Sequence, residues 1–221
     1  MSGKIFVFDA YGTLLDVHAA IARYREAAGP DADRFSDLWR AKQLEYTWTL
    51  TLAGHYQDFW ILTERALDFA FARFPSVDGG LKPKLLDAYF ELGAFPDALP
   101  ILTKLKHAGS GTAILSNGSP KMLSAAVKAG KLDNSLDAVL SVDTIRIYKP
   151  RSEVYELVID HFECAPPDVV FISSNRWDVM GAAAFGFKPV WVNRAKNPDE
   201  YPDHPPVVTI PDLTSLPVSV A

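Results

Sequence analysis

"IFVFDAYGTLLD", Ile5 to Asp16, carries the first clear structural signal of the chain. Branched and aromatic residues run without a polar break into Asp9, and Gly12 follows as a turn signal. A short apolar run bounded in this way reads as a strand buried on both faces, as in a parallel sheet, and residues 4–9 are assigned to it. Such a strand ends by delivering a carboxylate to the mouth of the sheet.

Outward from that strand the pattern changes. Between residues 17 and 94, "VHAAIARYREAAG", "DADRFSDLWRAKQLEYTWTLTLAG", "YQDFWILTERALDFAFARF" and "KPKLLDAYFEL" have helical spacing, with turn signals at Gly29-Pro30, Gly54-His55 and Pro75 to Gly80. Alternation then resumes. Residues 111–116, 136–142, 168–173 and 188–193 read as strands with helices between the first four segments, and 206–210 as a short edge strand. This predicts an α/β fold: a Rossmann-like core with a parallel sheet flanked by helices, plus an inserted α-helical cap. The core is expected over 1–16 and 95–221, and the helical cap over 17–94. A block inserted there would lie over the carboxyl ends of the strands, where open α/β sheets keep their sites.

The composition narrows the partners. A chain of 221 residues with net charge −5 argues against nucleic acid or anionic membrane as a main partner. Cys164 is the sole cysteine, so no internal disulfide can form, and a reducing, cytoplasmic setting is expected. No signal peptide or membrane-spanning stretch is visible in the pattern.

At the ends of the strands stand Asp9, then Ser116-Asn117, then Ser173-Ser174-Asn175 with Asp178 just beyond, while Lys149 precedes a helix. Each has an ordinary reading alone, as a cap, a loop hydroxyl or a solvated charge. Their convergence at successive strand ends favours a site. "FDAYGTL", "ILSNGS", "IYKP" and "SSNRWDVMGA", in this order, resemble the four motifs of the haloacid dehalogenase-like hydrolase superfamily, in which an Asp nucleophile ends the first strand.

Most members of that superfamily are phosphohydrolases, whose chemistry needs a proton shuttle and a divalent cation. The shuttle position here is Tyr11, too weak an acid at neutral pH. Of the carboxylate pair that would hold Mg²⁺ only Asp178 remains, with Ser174 in the other place and Arg176 bringing positive charge beside it. What stands instead is similar to the L-2-haloacid dehalogenase branch, including "WRAKQLEYTW" in the cap. Two departures, Ala10 and Ala41, replace a bulkier apolar and a longer polar residue and bear on pocket shape.

That resemblance implies roles. Asp9 attacks the carbon bearing the halogen and forms an ester; a halide leaves unaided, so Tyr11 can stand where an acid would be needed, and neither metal nor cofactor is expected. Arg40, Asn117 and the edge of Trp177 would receive the halide, each preorganised donor being worth about 3–4 kcal/mol. Ser116, Lys149 and backbone N–H groups after Asp9 would hold the substrate carboxylate. Thr13 would bond the nucleophile, and Tyr155 would orient Lys149. Asp178, held by Ser173, Asn175 and Lys149, would activate water. Ala10, Tyr11, Leu44, Phe59, Trp60 and Trp177 would line the pocket. The expected partners are a small 2-haloacid and halide, with a second copy of the chain through residues 56–74. A Mg²⁺-dependent small-molecule phosphatase and a non-catalytic binding relative are the competing readings.

Overall fold

The computed structural model describes residues 4–217. Its centre is a six-stranded parallel sheet made of β1 (Ile5–Phe8), β2 (Gly111–Ser116), β3 (Ala138–Ser141), β4 (Val169–Ser173), β5 (Lys188–Val192) and β6 (Val208–Ile210), in the order β3-β2-β1-β4-β5-β6. β1 and β4 are buried along their whole length, which explains why their sequences carry no alternation. From β1 the strands run outward to β2 and β3 on one side and to β4, β5 and β6 on the other. The order thus reverses beside β1, and the crevice outside such a reversal is where open α/β sheets bind ligands. In register, Phe8 lies opposite both Ile114 and Ile172, so Asp9 emerges next to the ends of β2 and β4.

Between β1 and β2 the chain forms α1 (Ala19–Ala22), α2 (Arg25–Ala28), α3 (Ala32–Leu52), α4 (Phe59–Arg73) and α5 (Lys82–Phe90), then α6 (Ala98–His107). α7 (Pro120–Ala129), α8 (Ser152–Phe162) and α9 (Arg176–Phe185) follow β2, β3 and β4. α3 and α4 pack as a pair, with Phe35, Trp39, Leu62, Ala66 and Ala70 buried. Asp58 starts α4 by accepting the Trp60 N–H at 2.6 Å, the bond expected of an N-cap aspartate.

Two elements differ from expectation. The helix read over 17–29 is two four-residue pieces, broken at Tyr24 (φ −120°), whose ring packs on the core; packing outweighs the alanine-rich propensity. α6 was not legible because Pro100 interrupts its pattern. The proline sits in the first turn, where its missing N–H costs nothing, and Ile101, Leu102 and Leu105 are buried. Among the described residues no helix is long and apolar enough to cross a membrane.

Candidate active site

The N–H of Asp9 donates to the Ile172 carbonyl at 2.9 Å, extending the ladder of β1 by one rung before the chain turns. The carbonyl of Ala10 then accepts from the N–H groups of Thr13, Leu14 and Leu15, at 3.2, 3.0 and 2.9 Å. Gly12 makes the turn at φ +95°, and a Cβ there would lie 3.1 Å from Ser174 Oγ, so both conformation and space call for glycine. Asp9 is 5% exposed. Its Oδ1 accepts from Lys149 Nζ at 3.2 Å, and its Oδ2 from Asn175 Nδ2 at 2.8 Å and Thr13 Oγ1 at 3.1 Å. Donors from three separate loops therefore orient one carboxylate.

Lys149 is buried and all of its ammonium protons are used: besides Asp9, it donates to the Leu115 carbonyl at 2.7 Å and Asp178 Oδ2 at 2.9 Å. This corrects the expectation that it grips the substrate carboxylate, because no donor is left over. Asp178 takes its second bond from Tyr155 Oη, at 2.8 Å to Oδ1. Tyr155 therefore orients the aspartate and not the lysine. Neither the Ser173 nor the Asn175 side chain bonds the Asp178 carboxylate; Asn175 meets Asp178 only through its carbonyl, which accepts the Asp178 N–H at 3.0 Å. Ser173 Oγ accepts the Asn175 N–H at 3.1 Å, and the Asn175 amide bridges Asp9 Oδ2 and the Tyr11 carbonyl, 3.2 Å away. Asn175 sits just before α9, at the mouth, whereas Asp178 in the first turn points inward beneath the nucleophile.

The electrostatics follow from that stacking. Burial pushes the Asp178 carboxyl up to about 6; the Lys149 ammonium opposes this and the Asp9 charge adds to it. Burial, and then the Asp178 carboxylate, hold the Tyr155 phenol well above its ordinary range, so it stays a hydrogen-bond donor. One ammonium between two buried carboxylates leaves a net negative charge.

In front of Asp9 lies a small hollow of about 10 Å³, room for about one water. The core contributes Tyr11, Ser116, Asn117, Asn175 and Trp177 to its wall, and the helical segment contributes Arg40, Leu44 and Phe59. Arg40 donates to the Tyr11 carbonyl at 3.1 Å and to Gln43 Oε1 at 2.8 Å; among the described residues it forms no ion pair with a carboxylate. Asn117 Oδ1 accepts the Lys149 N–H at 3.1 Å, which leaves its Nδ2 as the group with protons to give. Ser116 Oγ accepts the Gly118 N–H at 3.1 Å and keeps its own proton for donation. Tyr11 stacks on Tyr89 at 5.8 Å and 4°, and its burial raises the phenol well above its ordinary range.

Three expected residues stand elsewhere. Trp60 packs edge-on against Phe90 at 5.3 Å, since it follows Phe59 by one position and so faces another side of α4. Ala10 is fully buried, contributes its carbonyl to the turn, and is not among the residues lining the hollow. Arg176 turns away to Asp199 and the carbonyls of Tyr201 and His204. Two residues went unnoticed in the sequence: Gln43, which aims Arg40 and donates to Thr63 Oγ1 at 2.6 Å, and Tyr89, which also donates to Gln43 Oε1 at 3.0 Å. The spacing of Gln43 from Arg40, one helical turn, was the available signal; Tyr89 looked like core.

Residues 4–186 match the family of haloacid dehalogenase-like hydrolases. Among curated proteins, (S)-2-haloacid dehalogenase 1 of Pseudomonas sp. strain CBS-3 is 50% identical over 212 residues, covering 96% of this chain and 93% of that one. A solved dehalogenase crystal structure superposes with a TM-score of 0.94 at 49% identity, over 96% of this chain and 95% of the other. An L-2-haloacid dehalogenase from Xanthobacter autotrophicus, solved with chloropropionic acid covalently bound, gives 0.86 at 35% identity, over 96% and 95%.

Proposed function

This chain belongs to the haloacid dehalogenase-like hydrolase family, on its (S)-2-haloacid dehalogenase branch, and from that premise we propose that Asp9 displaces halide from a short (S)-2-haloacid through a covalent ester. The observation that carries this reading is the Asp9 carboxylate, oriented by three donors and facing a small hollow lined by Arg40, which among the described residues forms no ion pair with a carboxylate.

One Asp9 oxygen attacks C2 from behind the carbon–halogen bond; the electron pair of that bond leaves with the halide, and C2 inverts. Arg40 and the Asn117 amide receive the halide, and Trp177, Leu44 and Phe59 keep water away from it. The substrate carboxylate falls to Ser116 and to the N–H groups of Ala10 and Tyr11, because those of Gly12 to Leu15 are committed to carbonyls inside the turn. Water then adds to the carbonyl carbon of the ester. One of its protons goes to the Lys149–Asp178 pair. Collapse breaks the bond between the Asp9 carbonyl carbon and the substrate oxygen, which takes that proton back from the pair. The (R)-2-hydroxy acid departs while the remaining proton passes to solvent and Asp9 returns to a carboxylate.

Residues 17–94 act as a cap that must yield to admit substrate, since the hollow is too small for one. The competing phosphatase reading loses support at Asn175. Its amide protons already occupy Asp9 Oδ2 and the Tyr11 carbonyl, oxygens that would otherwise be available as hard ligands for a divalent cation. Pairing of two chains through α4 is part of the same proposal, supported by exposed Ile61 and Phe69 and tested by sedimentation.

The deciding experiment is halide release from L-2-chloropropionate in EDTA, followed by a single turnover in heavy-oxygen water with enzyme in excess. The heavy oxygen should appear in Asp9 and not in the product, and Asp9→Asn should release no halide. Label in the first product molecule would mean direct attack by water and would refute the ester.

A further inference from the structure

Arg176 stands between two residues of the site, Asn175 and Trp177, yet its side chain leaves it. It is 4% exposed, with its guanidinium between the rings of Trp191 and Tyr201, 5.7 and 5.5 Å from their centroids. Its Nε donates to Asp199 Oδ1 at 2.6 Å, and its Nη2 to the carbonyls of Tyr201 at 2.5 Å and His204 at 3.0 Å. These partners lie in the irregular stretch that joins β5 to β6. Connections of that length are uncommon without a role, and this one has no ladder of its own to steady it. Burying a guanidinium is costly, and ion pairing with good hydrogen bonds is needed to offset the loss of water.

The start of α9 has a particular need of support. Asn175 occupies the N-cap position, where its side chain would ordinarily accept an N–H from the first turn, and it makes no such bond. Its amide is spent on Asp9 Oδ2 and the Tyr11 carbonyl. The side chain is turned toward the nucleophile instead of back over the helix end. Arg176 is the next residue, and it ties that end to residues 199–204. Trp191, stacked on the same guanidinium, donates its Nε1 to the Ser174 carbonyl at 3.2 Å, and the Ser174 N–H donates to Thr13 Oγ1 at 2.8 Å. Both neutral donors of Asp9, Asn175 and Thr13, are thus braced from one side.

We infer that Arg176 is a positioning residue: by fastening residues 199–204 to the first turn of α9, it holds the uncapped Asn175 amide against the nucleophile. This rests on the reading of Asp9 as nucleophile. It also makes the charge at position 176 a brace for the site, not a contact with substrate.

A double-mutant cycle tests it. Arg176→Met and Asp199→Asn are each made in the parent chain and in an Asn175→Ala background. Turnover of L-2-chloropropionate is then measured, with circular dichroism to verify folding. Arg176→Met should lower kcat by about tenfold or more in the parent, the scale on which misplaced reacting groups act, and by less than about twofold once Asn175 is gone. KM should move less than kcat. Asp199→Asn, which keeps the guanidinium and its carbonyl bonds, should act in the same direction but less, and it carries the comparison if Arg176→Met does not fold. A melting temperature that falls while kcat holds, or an equal loss in both backgrounds, would overturn the inference. A silent Asn175→Ala would instead fault the reading of the nucleophile's surroundings.

Discussion

Replacing Tyr155 by Phe removes a single oxygen from a fully buried ring and should move the pH dependence of the second half-reaction. Tyr155 Oη donates to Asp178 Oδ1 at 2.8 Å, a bond that favours the charged carboxylate. Burial and the Asp9 charge oppose ionisation, and the balance leaves Asp178 at about 6. A hydrogen bond to an ionised group contributes about 1.5–3 kcal/mol, and about 1.4 kcal/mol corresponds to one pH unit. Tyr155→Phe should therefore raise Asp178 by about one to two units. The direction is fixed by the chemistry: the Lys149–Asp178 pair accepts a proton only when Asp178 is ionised, so the acidic limb shifts to higher pH. Near pH 6 the ionised fraction, about half in the parent, falls about five- to fiftyfold, whereas near pH 9 no more than about a tenth is lost. The assay is steady-state hydroxy-acid formation from about pH 5 to 9.5. It is paired with rapid-quench measurement of the first halide released, which does not use Asp178 and should be unchanged. A loss uniform across that range, or an acidic limb left in place, would refute the assignment of the pair as proton acceptor.

Two further outcomes follow from the same geometry. Arg40→Gln should lower kcat by about 10²–10³-fold, as for loss of one preorganised donor to a developing anion, and should penalise chloride more than iodide as leaving group; equal losses for both halides would remove Arg40 from the leaving-group step. Gly181→Ala drives a Cβ into Tyr155 Oη and to 2.6 Å from Pro150 Cβ, so Tyr155 must retreat from Asp178. The acidic limb should move as in Tyr155→Phe, with about 1–3 kcal/mol lost from stability in urea unfolding, and a pH profile identical to the parent's would count against the contact.

The frame of the fold was legible from local residue patterns. β1 is apolar along its length because both of its faces are covered, and that pattern is local. Strands that follow one another in a parallel sheet send their carboxyl ends to one side, so Asp9, Ser116 and Ser173 had to meet. Tyr11 and Ser174 argued against proton-shuttle and cation chemistry by their identity alone. The hydrogen-bond partners, by contrast, emerged only from how the chain packs. Lys149 lies 140 residues from Asp9, and Tyr155 lies 23 residues from Asp178. Helical or strand spacing places such groups in one region but does not choose between partners an ångström apart. The lysine turned out to have no proton left for substrate, the tyrosine to serve the aspartate, Asn175 to serve the nucleophile, and Arg176 to turn outward. A hydrogen bond is directional and short, and its choice depends on how two separately folded stretches pack, which no single stretch encodes.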